Sequence, residues 1–264
     1  MDLSGNIVWI TGASSGIGRA LAVECARRGA TLMLTARREE ALEATRLACE
    51  RPDAHRCMVH DVTEHESHAG VLEAILDTWG RLDVVVLNAG IGQRASIEET
   101  DPAVERQIME INYFGCTEIA HVVLPHFVER NAGHIVVTSS VMGMLSTPRR
   151  ATYAASKHAL HGFFEGLRAE LHHTHVDVTL LCAGYIQTDI SYHSLKGDGK
   201  GHGAMDEQHR NAMSAESFAR QAINAVARRK PVVFIGGPER FAPMLQRLSP
   251  GLVRWLLPKV ITRD

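Results

Sequence analysis

What the sequence lacks sets the first limits on what it can be. Its five cysteines, Cys25, Cys49, Cys57, Cys116 and Cys182, form no C-x-x-C pair and are odd in number. They suit free thiols in a reducing compartment, not a disulfide framework. No apolar run approaches the ~18 residues of a membrane-spanning helix. The start Met1-Asp2-Leu3-Ser4-Gly5 passes into an apolar strand without room for a charged n-region and a long h-region. A cytoplasmic location is expected, with any membrane contact peripheral. Neither charge is in excess, the formal net charge being -2, which argues against a nucleic-acid partner because phosphate binding needs a concentrated basic surface. Internal repeats and proline-rich linkers are missing too. With 264 residues, 45% of them hydrophobic, the chain is expected to form one domain over 1–264 that acts on a small molecule.

What is present is an alternation of short β-rich runs with longer stretches of helical period. The expected strands are Ile7–Thr11, Thr31–Thr35, Arg56–His60, Val84–Asn88, His134–Ser139, Val176–Cys182 and Val232–Ile235. Runs such as Val84-Val85-Val86-Leu87 are apolar without interruption, as strands buried on both faces are. The pattern predicts an α/β fold, a doubly wound parallel seven-stranded sheet with helices on both faces. Gly29, Gly80 and Gly133 stand where helices should stop. Residues 189–213, dense in glycine and without period, read as a mobile loop and candidate substrate lid.

Chemistry is concentrated at a few places. The first strand runs into Thr11-Gly12-Ala13-Ser14-Ser15-Gly16-Ile17-Gly18 and then an apolar-periodic helix. Strand, glycine turn and helix N-terminus together make a pyrophosphate site of Rossmann type. The second strand ends in Thr35-Ala36-Arg37-Arg38, with no carboxylate to accept ribose hydroxyls, and Arg37 offers a planar fork to a phosphate. Tyr153-Ala154-Ala155-Ser156-Lys157 opens another helix, and spacing of four puts Tyr153 and Lys157 on one face. A free phenol near pKa ~10 needs roughly 4 kcal/mol of help to serve as a base at neutral pH, and a neighbouring cation supplies part of it.

The glycine string and the Tyr-x-x-x-Lys pair resemble those of the short-chain dehydrogenase/reductase family, and the resemblance extends along most of the chain. It implies cofactor contacts from Gly12, Ser14, Ser15, Gly16, Ile17, Gly18 and Arg37, from Asp61 and Val62 beside the adenine, and from Asn88, Ala89 and Gly90. Asp61 also suits a cap before Thr63-Glu64. The resemblance further implies cofactor contacts from Tyr153, Lys157, Gly184, Ile186 and Thr188, the last three in a segment where Ala183 replaces the family's usual proline. Its catalytic set is Asn112, Ser140, Tyr153 and Lys157. Ser140 is preferred over Ser139 because Ser140 and Gly143 meet the pattern Ser-x-x-Gly. In the family the backbone of the asparagine holds a water of the proton relay.

The expected activity is therefore hydride transfer between NADP(H), preferred over NAD(H), and a carbonyl or secondary alcohol, with no metal site. His172-His173-Thr174-His175 reads as helix-end histidine. Met142, Met144 and Leu145 offer apolar pocket walls, and Gln93, Arg94, Arg149 and Arg150 stand ready for polar substituents. The tail, residues 239–264, is basic and amphipathic, and is expected on its own domain, a sister subunit or a membrane surface. The family's usual pairing implies a homodimer or homotetramer. Two rival readings are a catalytically silent NADP(H)-binding sensor or scaffold, against which the intact catalytic set counts, and a nucleotide-sugar epimerase, for which the chain is short.

Overall fold

The computed structural model describes residues 3–261. Strand β1 (Ile7–Thr11) is buried at every residue, which is why its sequence is apolar without alternation: it has a helical layer on each side. Val8 and Ile10 point into one core, with Leu32, Leu34 and Phe218. Ile7 and Trp9 point into the other, with Ile75, Phe127 and Phe164. The remaining strands of this sheet are β2 (Thr31–Ala36), β3 (Arg56–Val59), β4 (Val84–Leu87), β5 (Gly133–Ser140), β6 (Val176–Ala183) and, last in the chain, β9 (Val232–Ile235). They lie in the order β3-β2-β1-β4-β5-β6-β9, and every pair is parallel.

Helices α1 (Gly16–Arg27) and α2 (Glu39–Ala48) follow the first two strands, and α3 (Ser67–Trp79) joins β3 to β4. Between β4 and β5 come α4 (Pro102–Met109), a π-turn at Glu110–Phe114 and α5 (Gly115–Glu129). Helix α6 (Ala151–Glu170) separates β5 from β6. The winding reverses between β1 and β4, and the crevice at such a reversal, outside the carboxyl ends of the strands, is where open α/β sheets hold ligands.

Two expectations are corrected. Gly133 does not stop a helix: it opens β5, where a Cβ would lie 2.3 Å from the Phe127 ring, and Asn131 takes the left-handed position with φ 47°. The glycine-dense segment is not featureless. It carries α7 (Ile190–His193) and α8 (Glu207–Arg210), and β7 (Ile186–Gln187) pairs with β8 (Met213–Ser214) just outside the large sheet. Backbone bonds from Leu195 N to Gly92 O and from His202 N to Ser194 O fasten it further. Its glycines serve turns and close approach: a Cβ on Gly197 would meet the Glu99 carbonyl.

After α9 (Ala215–Ala227) and β9 the tail forms α10 (Ala242–Leu248) and α11 (Pro250–Ile261). Phe241, Met244, Leu248, Leu252 and Trp255 are exposed there. Residues 262–264 of the expected tail lie outside the described residues. No described helix is long and apolar enough to cross a membrane.

Candidate active site

One cavity of about 900 Å³ opens at the sheet reversal, and it brings together every catalytic and cofactor-binding residue expected from the sequence except Asn112. Its floor is stitched by two side chains. Thr11 Oγ1 donates to Val86 O (3.3 Å) and accepts from Asn88 N (3.0 Å) and Ala89 N (3.1 Å). Asn88 Nδ2 donates back to Thr11 O at 3.1 Å, and its Oδ1 accepts from Thr138 Oγ1 at 3.1 Å. Asn88 thus ties β1, β4 and β5 together where the strands part. The glycine turn closes tightly over this floor, since a Cβ on Gly18 would stand 2.2 Å from Gly12 O. Ser15, at the N-cap of α1, makes no side-chain capping bond, and orphan N–H groups at a helix start attract anions.

At the same end Arg37 is largely exposed, its Nη1 3.8 Å from Asp61 Oδ2. Asp61 Oδ1 accepts from Thr63 N (3.0 Å) and Thr63 Oγ1 (2.9 Å); because α3 starts only at Ser67, Asp61 closes a turn and does not cap a helix as expected, while it keeps its place on the cavity wall. Sequence reading passed over Arg38, which also lines the cavity and donates from Nη2 to Ser14 Oγ at 3.5 Å. The adjacent arginine pair was the available signal.

At the far end Lys157 is buried, and its Nζ donates to Thr138 O at 3.0 Å while standing 5.8 Å from the centroid of the Tyr153 ring. One helical turn of α6 produces this pairing, as the spacing of four predicted. Ser140 Oγ accepts from Met142 N (3.1 Å) and donates to Ala183 O (3.2 Å). Ser139 also lines the cavity, and its Oγ is buried without a hydrogen-bond partner. Asn112 is fully buried within the π-turn and outside the cavity lining. Its side chain accepts from Ile91 N (2.7 Å) and donates to Ile91 O (3.0 Å) and Ser156 Oγ (3.0 Å), locking the segment after β4 to α6. Burial pushes the Cys182 thiol up to about 12, so it packs the sheet as a neutral group.

Helix α6 has no cap of its own. Arg150 sits at the N-cap without a capping bond, and Gln93 Oε1 accepts from Thr152 N (2.9 Å) and Tyr153 N (3.1 Å) instead. The expectation that Gln93, Arg94, Arg149 and Arg150 all face a substrate is therefore corrected. Gln93 caps the helix. Arg149 is exposed beside Glu99. Arg94 and Arg150 both pair with Asp206 of the segment ahead of α8. Of the four, Gln93 and Arg150 line the cavity. His209 packs edge-on against Tyr185, and burial, then Arg150 and Arg94, push its imidazole down to about 4. Val141, Met142, Leu145 and Leu195 complete an apolar wall.

Beyond β6, the turn at Gly184-Tyr185 is held from the other end of the chain. Glu239 Oε1 accepts from Tyr185 N (2.9 Å) and Gly237 N (2.8 Å), and a Cβ on Gly184 would stand 2.0 Å from that oxygen. Sequence reading missed Glu239, which carries no motif.

A family model described as short chain dehydrogenase matches residues 6–198. The dehydrogenase/reductase SDR family member 7B of Bos taurus is 39% identical over 258 residues, 93% of this chain and 78% of that protein. A short chain dehydrogenase/reductase from Burkholderia phymatum, solved in complex with NAD, superimposes with a TM-score of 0.83 at 25% identity, covering 97% of this chain and 96% of the other. A serine dehydrogenase complexed with NADP+ does so with a TM-score of 0.79 at 25% identity, over 88% and 94%. With its sheet order, glycine turn and Tyr153–Lys157 pair, the chain belongs to the short-chain dehydrogenase/reductase family of oxidoreductases.

Proposed function

We propose that this protein is an NADP(H)-dependent oxidoreductase acting on a carbonyl or secondary alcohol of mainly apolar character, with Tyr153 as its acid and base. The observation that carries the reading is the Lys157 ammonium, buried and anchored to Thr138 O, beside the Tyr153 ring, in one cavity with the glycine turn. A nicotinamide dinucleotide fits what the residues offer. The cradle left by Gly12, Gly16 and Gly18 has no room for side chains, the α1 N-terminus is free to meet phosphate, and similar chains hold NAD and NADP+. Gly12 to Gly18 with Asn88, Ala89 and Gly90 would line the phosphate side, Asp61 and Val62 the adenine, and Gly184, Ile186 and Thr188 the nicotinamide. When bound, the dinucleotide supplies the hydride donor or acceptor.

The chain's own residues do the rest. Tyr153 gives a proton to the substrate oxygen during reduction and removes it during oxidation. Lys157 favours the anionic phenolate by charge and, through Thr138 O, is held in place to do so. Ser140, its hydroxyl turning from Ala183 O, hydrogen-bonds the same oxygen, and Asn112 positions α6 through Ser156. Arg37 and Arg38, the latter linked to Ser14, favour the extra phosphate of NADP. Asp206, by holding the α7–α8 segment against Arg94 and Arg150, makes that segment the lid over the apolar wall. The exposed apolar and basic tail supports a subunit or membrane-surface contact.

The test is a screen of carbonyl compounds and alcohols with purified protein, read at the NADPH absorbance. Tyr153→Phe is expected to lower turnover by about 10²–10⁴-fold, with NADPH affinity nearly unchanged. Substantial residual turnover would put another acid in charge.

A further inference from the structure

Away from the cavity's chemistry, the start of α3 gathers side chains that the redox reading does not use. His68 is fully buried. Its Nδ1 lies 2.9 Å from His60 Nε2, and its Nε2 is buried without a hydrogen-bond partner. His65, in the turn before the helix, has Nε2 at 2.6 Å from Glu110 Oε1, and its Nδ1 contacts Glu118 Oε2 of α5. One donor atom from each of His65, His68 and Glu118 lies within 4.8 Å of the other two.

The geometry points to a binding site for a divalent transition cation of the zinc class, ligated by His65, His68 and Glu118. With Nδ1 engaged by His60, the nitrogen that His68 has to offer is Nε2. The ring is fully buried, and a neutral imidazole carries one lone pair. In the tautomer whose Nδ1–H donates to His60 Nε2, that lone pair sits on Nε2, where the folded chain gives it nothing to bind and a cation would compensate its desolvation.

His65 repeats the arrangement. Glu110 accepts from Nε2, which leaves Nδ1 toward Glu118, and a cation there takes the place of the proton between them. Each ligating imidazole then has an acceptor on its other nitrogen, the outer arrangement that fixes ring orientation in metal sites. Two imidazoles and one carboxylate suit a borderline cation with a fourth position for water, whereas calcium and magnesium favour oxygen alone. The donor atoms must draw together from within 4.8 Å to close metal bonds of about 2.0–2.2 Å, and the partly exposed His65 and Glu118 are the side chains that move toward buried His68 and open the site to solvent.

Occupancy would fasten the turn before α3 to α5. It does so beside Val62, against which Gly115 at the start of α5 packs with no room for a Cβ. The expectation of a metal-free chain came from the hydride chemistry and from His172 to His175. His65-x-x-His68 is a weak pattern until the fold brings Glu118 to it.

The test uses the full chain, stripped with a chelator and titrated with Zn²⁺ by calorimetry, with bound zinc measured after gel filtration. One equivalent should be retained. Glu118→Gln and His65→Asn, both at solvent-reaching positions, should each lower the affinity at least tenfold, and Glu110→Gln should lower it about tenfold. Zinc should raise the thermal midpoint of the unmutated protein and not that of the two ligand variants. Failure of the unmutated chain to retain zinc, or equal retention by Glu118→Gln and His65→Asn, overturns the site. NADPH turnover is not a readout, so the result stands apart from the proposed redox activity.

Discussion

Replacing Gln93 by methionine, which keeps the length of the side chain and removes its polar end, is expected to destabilise the protein before any ligand is added. The Gln93 carbonyl oxygen is the acceptor for two N–H groups in the first turn of α6, those of Thr152 and Tyr153. Its amide also donates to Thr100 Oγ1 at 3.3 Å. Thr152 and Gln93 are themselves buried, so water does not readily replace the lost acceptor. Loss of an ordinary helix cap costs ~1 kcal/mol, and a buried donor left unpaired costs ~1–3 kcal/mol. With the Thr152 donor buried and the Tyr153 donor only partly so, the loss is roughly 2–4 kcal/mol. For a domain of this size that corresponds to a thermal midpoint lower by about 5–15 °C. Urea unfolding of the cofactor-free protein measures it directly. A substrate-contacting Gln93 would instead leave the midpoint in place and raise KM. A stability change under about 0.5 kcal/mol would refute the capping argument.

Three other outcomes follow from the geometry. Gly18→Ala puts a Cβ against Gly12 O at 2.2 Å, so it should displace the glycine turn and weaken NADPH binding by at least tenfold; calorimetric affinity equal to that of the unmutated protein would contradict it. Arg37→Ala combined with Arg38→Ala should erase the preference for NADPH over NADH in fluorescence titrations, and equal affinity for the two before mutation would sink the assignment. Buried His134, whose Nε2 is 2.8 Å from Thr179 Oγ1, is pushed down to about 3 by burial, then by Arg229. The folded chain holds it neutral, so its contribution is complete above the unfolded value of 6.5 and is lost as pH falls from there toward 3. Urea midpoints should decline below pH 6.5, and more shallowly in His134→Gln; an identical pH dependence in the variant would refute this.

The fold was legible where periodicity and local chemistry agreed. Continuous apolar runs such as Val84–Leu87 marked strands with both faces covered, and the glycine turn marked where the first βα connection must be tight. Lys157 was placed correctly relative to Tyr153 because one helix determines both positions. Contacts between distant segments were not legible. Gln93 looked like a pocket residue because nothing local shows that it ends against a helix 59 positions later. Asn112 was assigned through its backbone, whereas its side chain bridges Ile91 and Ser156. The segment 189–213 read as irregular because its order comes from a bond to Gly92 and from the pairing of Met213 with Ile186 of β7, which leave no period in its own sequence.

Ala183 stands where a proline ring would limit the backbone by covalent means. In its place the carboxylate of Glu239, 54 residues beyond Tyr185, grips the next peptide from outside. Stiffness that is covalent belongs to the turn from the moment it is synthesised; stiffness on loan from a remote carboxylate arrives only when β9 has joined the edge of the sheet. The Gly184-Tyr185 side of the cavity is therefore complete only with the C-terminal part of the chain in place, and a chain cut short before Glu239 would keep its motifs yet leave that turn unheld.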